Sequence, residues 1–341
     1  MTTRTKRLTS VTASAPTRID LAGGTIDIWP ISLLVPGAIT VNLAIELRAR
    51  AVVETREDER VTIVSRDRKR RVTRRLPLDE DDVSGPLSVV LRLVRAFHPE
   101  TGINLVTDAA APAGAGLGGS STLGIAVGAA LNRLTGEGLR RDALLRRVMN
   151  LETIELRAPT GNQDYLAALN GGLSAYHHGA DGTVREAIPL APGLEERLVM
   201  AYTGQPRRSG YSNWEMFLRF IDGNKTAVRR MESIARVARE MRAALRDGSL
   251  DDAGKLLGEE GRLRYSLAPS VATPKILAVD AAARGAGALG VKVCGAGGGG
   301  CVVAFAREGR RQAVADAIRG AGASVLQAQP SRRGLRIEYA D

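Results

Sequence analysis

The chain has 341 residues, 44% of them hydrophobic and 25% charged, with only two cysteines, Cys294 and Cys301; this composition suits a globular protein with a large core and excludes a disulfide framework or extended disorder. Its formal charge of +11 comes from 48 Lys and Arg spread along the whole length, which favours an anionic small-molecule substrate over a nucleic-acid footprint. No stretch approaches the roughly 18 to 20 apolar residues of a membrane span, and the basic N-terminus lacks an apolar h-region, so a cytoplasmic protein with neither membrane nor nucleic-acid partner is expected.

Residues 11–64 read as β-structure: "AITVNLAIELRARAVVETR" is rich in Val and Ile, and "RVTIVSR" alternates. The basic run "RDRKRRVTRR" (66–75) alternates with Val and Thr and has no aromatics for bases to stack on, so it is expected to be a solvated strand face. "PLSVVLRLVRAF" sets Leu87, Val90, Leu91 and Val94 on one helical face, and the short strand "INLVTD" follows. Next comes the loop "PAGAGLGGSST" (112–122), then helices "STLGIAVGAALNRL" and "RRDALLRRVMNLETIEL" joined by "TGEG". Strands followed by helices, without regular alternation, point to an α+β fold.

Strands return in "GLSAYHH" and "RLVMAYTG", and a long helical stretch runs from "NWEMFLRF" through "LDDAGKLLGEEGRL". The last third reads as helix "PKILAVDAAARGAG", strand "VKVC", loop "GAGGGG", strand "CVVAFA", helix "RRQAVADAIRGAG" and two closing strands, "SVLQAQ" and "LRIEYA". A lobe boundary is expected between residues 170 and 210, dividing the chain into 1–190 and 191–341. His177 and His178 have no metal-type partner at a useful spacing and read as strand residues.

The spacing G-x-G-x-x-G occurs twice, at Gly114, Gly116 and Gly119 and at Gly295, Gly297 and Gly300. Neither copy opens a βαβ unit with an acidic residue about 20 positions on, so a dinucleotide fold is disfavoured. The first loop lacks the lysine of a P-loop. It still has the makings of an anion site, because its glycines let successive N–H groups converge at the positive end of the helix starting near Ser120. Of Ser120 and Ser121, one hydroxyl is expected to cap that helix and the other to ligate a magnesium ion.

Three stretches stand in order: "APTRIDLAGGTID" (15–27), similar to A-P-G-[RK]-x-x-[LF]-x-G; "PAGAGLGGSST", close to P-x-x-x-G-L-G-S-S-[AS]; and "VKVCGAGGGGCVVAF" (291–305), close to K-x-x-G-A-G-x-G-G. Together they resemble the GHMP small-molecule kinases, named for galactokinase, homoserine kinase, mevalonate kinase and phosphomevalonate kinase. The resemblance implies two lobes, an N-terminal mixed α/β lobe with a left-handed βαβ ATP-loop region and a C-terminal ferredoxin-like α+β lobe. "APTRIDLAGGTID" and "TGNQDYLAALNGG" look most like the heptose-7-phosphate and fucose kinases of the sugar branch. Thr25 and Ile26 stand where that branch has Gly and Thr, Tyr165 replaces its second Gln, and Gly119 replaces the first Ser of the ATP loop.

By that resemblance the protein is an ATP- and magnesium-dependent kinase of a sugar or sugar-phosphate hydroxyl, with a homodimer compatible with it. Pro112, Gly114, Ala115, Gly116, Leu117, Gly118, Gly119, Ser120 and Ser121 would hold ATP. Ser120 and Glu152 would hold Mg2+, with Glu155, one helical turn on, as the competitor. Asp164 would act as general base, and Arg18 beside it would offset the transferring charge, since an arginine stays protonated and cannot be the base itself. Asp27 and Thr25 would meet substrate hydroxyls, and the second glycine run, with Gly297 on the substrate side, would let backbone pass close to the substrate or the ATP loop or else form a tight β-turn. Arg207, with Arg208 and Ser209, would meet a phosphate or form a solvated loop. The alternatives are a mevalonate-type kinase, which would want an apolar pocket and a carboxylate-binding group, and a catalytically silent regulator on the same fold.

Overall fold

In residues 10–15 Val11, Ala13 and Ala15 alternate with Ser and Thr and bury one face, whereas from Pro16 onward every residue of the same strand is buried. That change from half-buried to enclosed marks where the chain passes under helices on both sides. The computed structural model describes residues 9–206 and 211–340, and the first of its strands is β1 (Ser10–Ala22), followed by the short α1 (Ile31–Leu34), β2 (Ile39–Thr55), β3 (Arg60–Ser65) and β4 (Arg70–Arg75). Then come α2 (Ser88–Phe97), β5 (Ile103–Ala109), α3 (Gly119–Thr135), α4 (Arg141–Leu156), α5 (Gln163–Asn170), β6 (Leu173–Gly179) and β7 (Gly182–Ile188).

The first sheet runs β12-β1-β2-β5-β3-β4 once β12 (Arg336–Ala340) is included. β2 is long enough to pair twice along its length, with β6 through Ile39–Leu43 and with β5 through Ala49–Thr55. The β1–β2 register slips between Pro16 and Thr17 and again between Asp20 and Ala22. Such slips re-aim side chains, and the span between them carries Arg18 and Asp20.

The chain continues through α6 (Leu194–Arg197), β8 (Leu198–Tyr202), α7 (Tyr211–Ile221), α8 (Lys225–Arg246), α9 (Leu250–Tyr265), α10 (Pro274–Gly285), β9 (Ala288–Val293), β10 (Cys301–Ala306), α11 (Arg311–Gly320) and β11 (Ser324–Leu326), and the four strands β8 to β11 form the second sheet. Its antiparallel order β11-β8-β10-β9 is the 4-1-3-2 order of a ferredoxin-like βαββαβ unit, as expected. Only the first of the two closing strands belongs here. The second, β12, returns to pair with β1 from Ser10 to Ser14, because Ser331 and the residues after it are tied to β2 and to Arg48 rather than to the second sheet.

One apolar cluster lies between the first sheet and α2–α4, and another between the second sheet, α10 and α11. A third crosses from one sheet to the other, joining Ile19, Leu21 and Leu43 to Leu257, Met200 and Phe305. Burial of this kind, about 25 cal/mol per Å2 of apolar surface, holds the two sheets together across a seam, and the glycine loops meet along it.

Candidate active site

Gly114, Gly116 and Gly118 all have positive φ, and Gly118, at +74°, is the N-cap of α3. Neither serine caps this helix, which is a correction: α3 begins one residue earlier than expected, with a left-handed glycine as its cap and no side-chain cap bond. The backbone N–H groups of residues 116–121 donate to no backbone carbonyl among the described residues, so they remain free at the positive end of a 17-residue helix. The neighbouring carbonyls, by contrast, are engaged. Leu117 accepts from the Arg18 N–H, Gly116 from the Arg18 guanidinium, and Ala115 from the Cys301 N–H.

The second glycine loop lies between β9 and β10 and presses on the first. A Cβ at Gly116 would collide with the Cys294 carbonyl, and one at Gly300 would stand 2.6 Å from the Ala115 carbonyl. Gly297 is expected at the substrate, but it turns toward Val271, and Gly295 and Ala296 line the pocket instead. At Gly119, where the related pattern has Ser, an added Cβ would meet nothing within 4 Å.

The functional candidates converge below α3. Arg18, buried to 4% exposure, donates through Nε to Asp164 Oδ1 at 2.7 Å and brings a terminal nitrogen within 2.5 Å of the same oxygen. A Cβ on Gly118 would lie 2.8 Å from the Asp164 carboxyl carbon, so a side chain there would displace this carboxylate from the helix N-terminus. Asp27 lies beyond, its Oδ2 accepting the Gln163 N–H at 2.9 Å. Burial pushes the Asp27 carboxyl up to about 6, and the charges of Asp164 and Asp20 add to the effect. Thr25 holds φ +77°, a left-handed position that disfavours a β-branched residue, and its Oγ1 accepts from Arg264 at 3.3 Å.

Behind this pocket lies an ionic cluster that the sequence reading passed over. Lys292 donates to the Asp20 carbonyl at 2.7 Å, stands 2.7 Å from Asp20 Oδ2, and lies 3.5 Å from Glu260. Arg264 pairs with Glu260 at 2.6 Å and also donates to the carbonyls of Gly24 and Gly295. Burial opposes the charge on Asp20, yet Lys292, Arg264 and Arg18 outweigh it and hold the carboxyl below the usual carboxylate range. Two signals pointed here: the lysine opening "VKVCGAGGGG" and the four-residue spacing of Glu260 and Arg264.

Glu152 is buried and accepts from the Tyr165 hydroxyl at 2.5 Å, so Tyr165 serves as a donor to that carboxylate from the place of the expected glutamine. Glu155 is engaged elsewhere, with Ser88 at 2.5 Å and Arg92 at 2.9 Å. His177 and His178 lie in β6, bonded to Glu186 and to Thr40 and Thr183, as strand residues. Cys294 and Cys301 are buried free thiols. Arg70, Arg71 and Arg75 stand exposed on β4, as expected of a solvated face, while Arg207, Arg208 and Ser209 lie outside the described residues. No helix among the described residues is long and apolar enough to cross a membrane.

Two family descriptions match the chain, GHMP kinases N terminal domain over residues 86–172 and GHMP kinases C terminal over residues 241–324. The mevalonate kinase of Thermococcus sibiricus is 30% identical, over 96% of this chain and 98% of its own length. The bifunctional fucokinase/GDP-fucose pyrophosphorylase of Arabidopsis thaliana is 25% identical over 87% of this chain and 30% of its own length. Among solved structures, a D-glycero-D-manno-heptose 1-phosphate kinase from Bacteriodes thetaiotaomicron superposes with a TM-score of 0.78 at 24% identity, covering 96% of this chain and 98% of that one.

Proposed function

The chain belongs to the GHMP kinases, phosphotransferases that use ATP as donor and a hydroxyl as acceptor, and on that premise we propose that it phosphorylates a hydroxyl of a sugar or sugar phosphate in the pocket beside Asp164. The observation that carries this reading is the Arg18–Asp164 pair set against the free N–H groups at the start of α3. In this reading residues 1–190 form the nucleotide-binding lobe and 191–341 the second lobe, corrected by the return of β12 and the residues from Ser331 to the first sheet, with the reaction at their seam.

The loop from Pro112 through Ser121, with Gly114, Ala115, Gly116, Leu117, Gly118, Gly119 and Ser120 between, cradles the ATP phosphates. Its N–H groups and the α3 dipole neutralise their charge without a lysine. The acceptor hydroxyl oxygen attacks the γ-phosphorus, the bond from that phosphorus to the β–γ bridging oxygen breaks, and ADP leaves. The hydroxyl proton passes to Asp164. Arg18, always protonated, holds Asp164 in place and offsets negative charge near the transferring group.

A magnesium ion would be held by Ser120 and Glu152. The fit is chemical: Ser120 is exposed at the first turn of α3, Glu152 has one hydrogen bond, to Tyr165, and both offer the hard oxygens this cation prefers. When bound, it would supply neutralisation of phosphate charge. Asp27 and Thr25 meet substrate hydroxyls, with Gly295 and Ala296 in place of Gly297.

The second reading, a mevalonate-type kinase, is favoured by the 30% identity to the Thermococcus enzyme along nearly the whole chain. Against it stands a pocket lined by Asp20, Asp27, Gln163 and Asp164, polar where an isoprenoid precursor needs apolar wall. The test is ADP release with Mg-ATP across sugars, sugar phosphates and mevalonate, with Asp164→Asn alongside. The variant is expected to lose about 100-fold or more in kcat. Undiminished turnover by Asp164→Asn would sink the base assignment, and no turnover on any acceptor would favour the silent-regulator alternative.

A further inference from the structure

The charge and hydrogen-bond state of the pocket separates acceptor classes. Its lining cations, among the described residues, are Arg18 and Arg264. Each nitrogen of both guanidiniums is already taken. Arg18 uses Nε and one terminal nitrogen on Asp164 and the other on the Gly116 carbonyl. Arg264 uses Nε on Glu260, one terminal nitrogen on Thr25 Oγ1 and the Gly295 carbonyl, and the other on Glu260 and the Gly24 carbonyl. Lys292 lies behind the pocket wall, bound to Asp20.

What remains unpaired is of the opposite kind. Gln163 Oε1 is buried without a hydrogen-bond partner, and so is Asp20 Oδ1. Asp27 is 5% exposed, and its one hydrogen bond, from the Gln163 N–H, goes to Oδ2, leaving Oδ1 for a ligand. An unpaired buried acceptor is costly, and a hydroxyl donated by a ligand relieves that cost. Three carboxylates, Asp20, Asp27 and Asp164, line this space against two guanidiniums that are each already paired with a carboxylate, Arg18 with Asp164 and Arg264 with Glu260. The same surroundings that make ionisation of Asp27 costly would meet any further anion placed there.

Resting on the kinase reading above, we infer that the acceptor is an uncharged polyol, a free sugar or cyclitol, which donates hydroxyls to Asp27 Oδ1 and Gln163 Oε1 while presenting another to Asp164. Acceptors carrying a carboxylate or phosphate are disfavoured by these carboxylates and because, among the described residues, every cation lining the pocket already has a carboxylate partner. Specificity of this sort works by repulsion as much as by attraction.

The experiment measures kcat/KM for ADP release by the full chain with Mg-ATP. The acceptors are L-fucose, D-galactose, D-mannose and myo-inositol on one side, mannose 6-phosphate, galactose 1-phosphate and (R)-mevalonate on the other. The best neutral acceptor is expected to exceed every anionic one by at least about 100-fold, the size that one unrelieved like-charge contact commands. Asp27→Asn, which keeps shape and removes charge, is expected to lower the neutral rate while shrinking that ratio at least about tenfold. A purely structural role for Asp27 would lower both rates together and leave the ratio unchanged, which overturns the electrostatic basis. Preference for mevalonate or a sugar phosphate overturns the inference and leaves the kinase reading standing. No ADP from any acceptor removes the kinase reading, and the inference with it.

Discussion

Asp27 is a buried acid whose carboxyl is pushed up to about 6 by burial and by its acidic neighbours, and that has a consequence for stability. With the folded value above the unfolded one, its contribution is fully present at low pH and is lost as pH rises toward and through 6, where the folded protein must carry the charge. Asp27→Asn should therefore gain stability relative to the parent by about 1 kcal/mol between pH 5 and pH 8, read from paired urea unfolding curves. Asp27, Asp164 and Arg18 were all legible in the sequence, because each sits in a run whose neighbours identify it. Asp20 was not, although it is only two residues from Arg18. Its importance comes from Lys292 and Arg264, each more than 240 residues away, and no local spacing announces such a pair.

At the scale of the element, α9 joins the C-terminal part of the chain to the pocket beside Asp164. Glu260 and Arg264 are one turn apart on it, both essentially inaccessible to solvent, and Arg264 reaches both Gly24 and Gly295. The helix itself was readable from its apolar period, and the i,i+4 pair was visible. A surface ion pair has the same spacing, however, and only packing against β9 and β1 distinguishes them. Glu260→Gln leaves Arg264 and Lys292 with one carboxylate between them, so it is expected to cost about 3 to 5 kcal/mol in denaturant unfolding. Replacing the pair together, Glu260→Leu with Arg264→Met, should cost less than the single change, since it leaves a better-balanced interior. The start of α3 shows the reverse limit: a glycine loop leading into a helix was legible, but its cap was not, because a left-handed glycine displaced the expected serine.

For the whole molecule, the returning tail matters most. Ser331 is buried and bonded to Glu46, Arg48 donates to the carbonyls of Arg333 and Gly334, and β12 then covers the edge of β1. Gly334 also lies against the Leu169 carbonyl at the end of α5, the helix whose first turn carries Asp164. A chain ending at residue 329 is expected to melt at a lower temperature and to self-associate through the uncovered β1 edge, checked by calorimetry and light scattering. The strand was legible from "LRIEYA", but its sheet was not, because pairing partners over 320 residues apart leave no periodic trace. The chain therefore passes between the two sheets twice, once between Ile188 and Leu198 and once between Leu326 and Arg336. A single nick in either connection would leave the two sheets joined covalently through the other as well as through their shared apolar cluster.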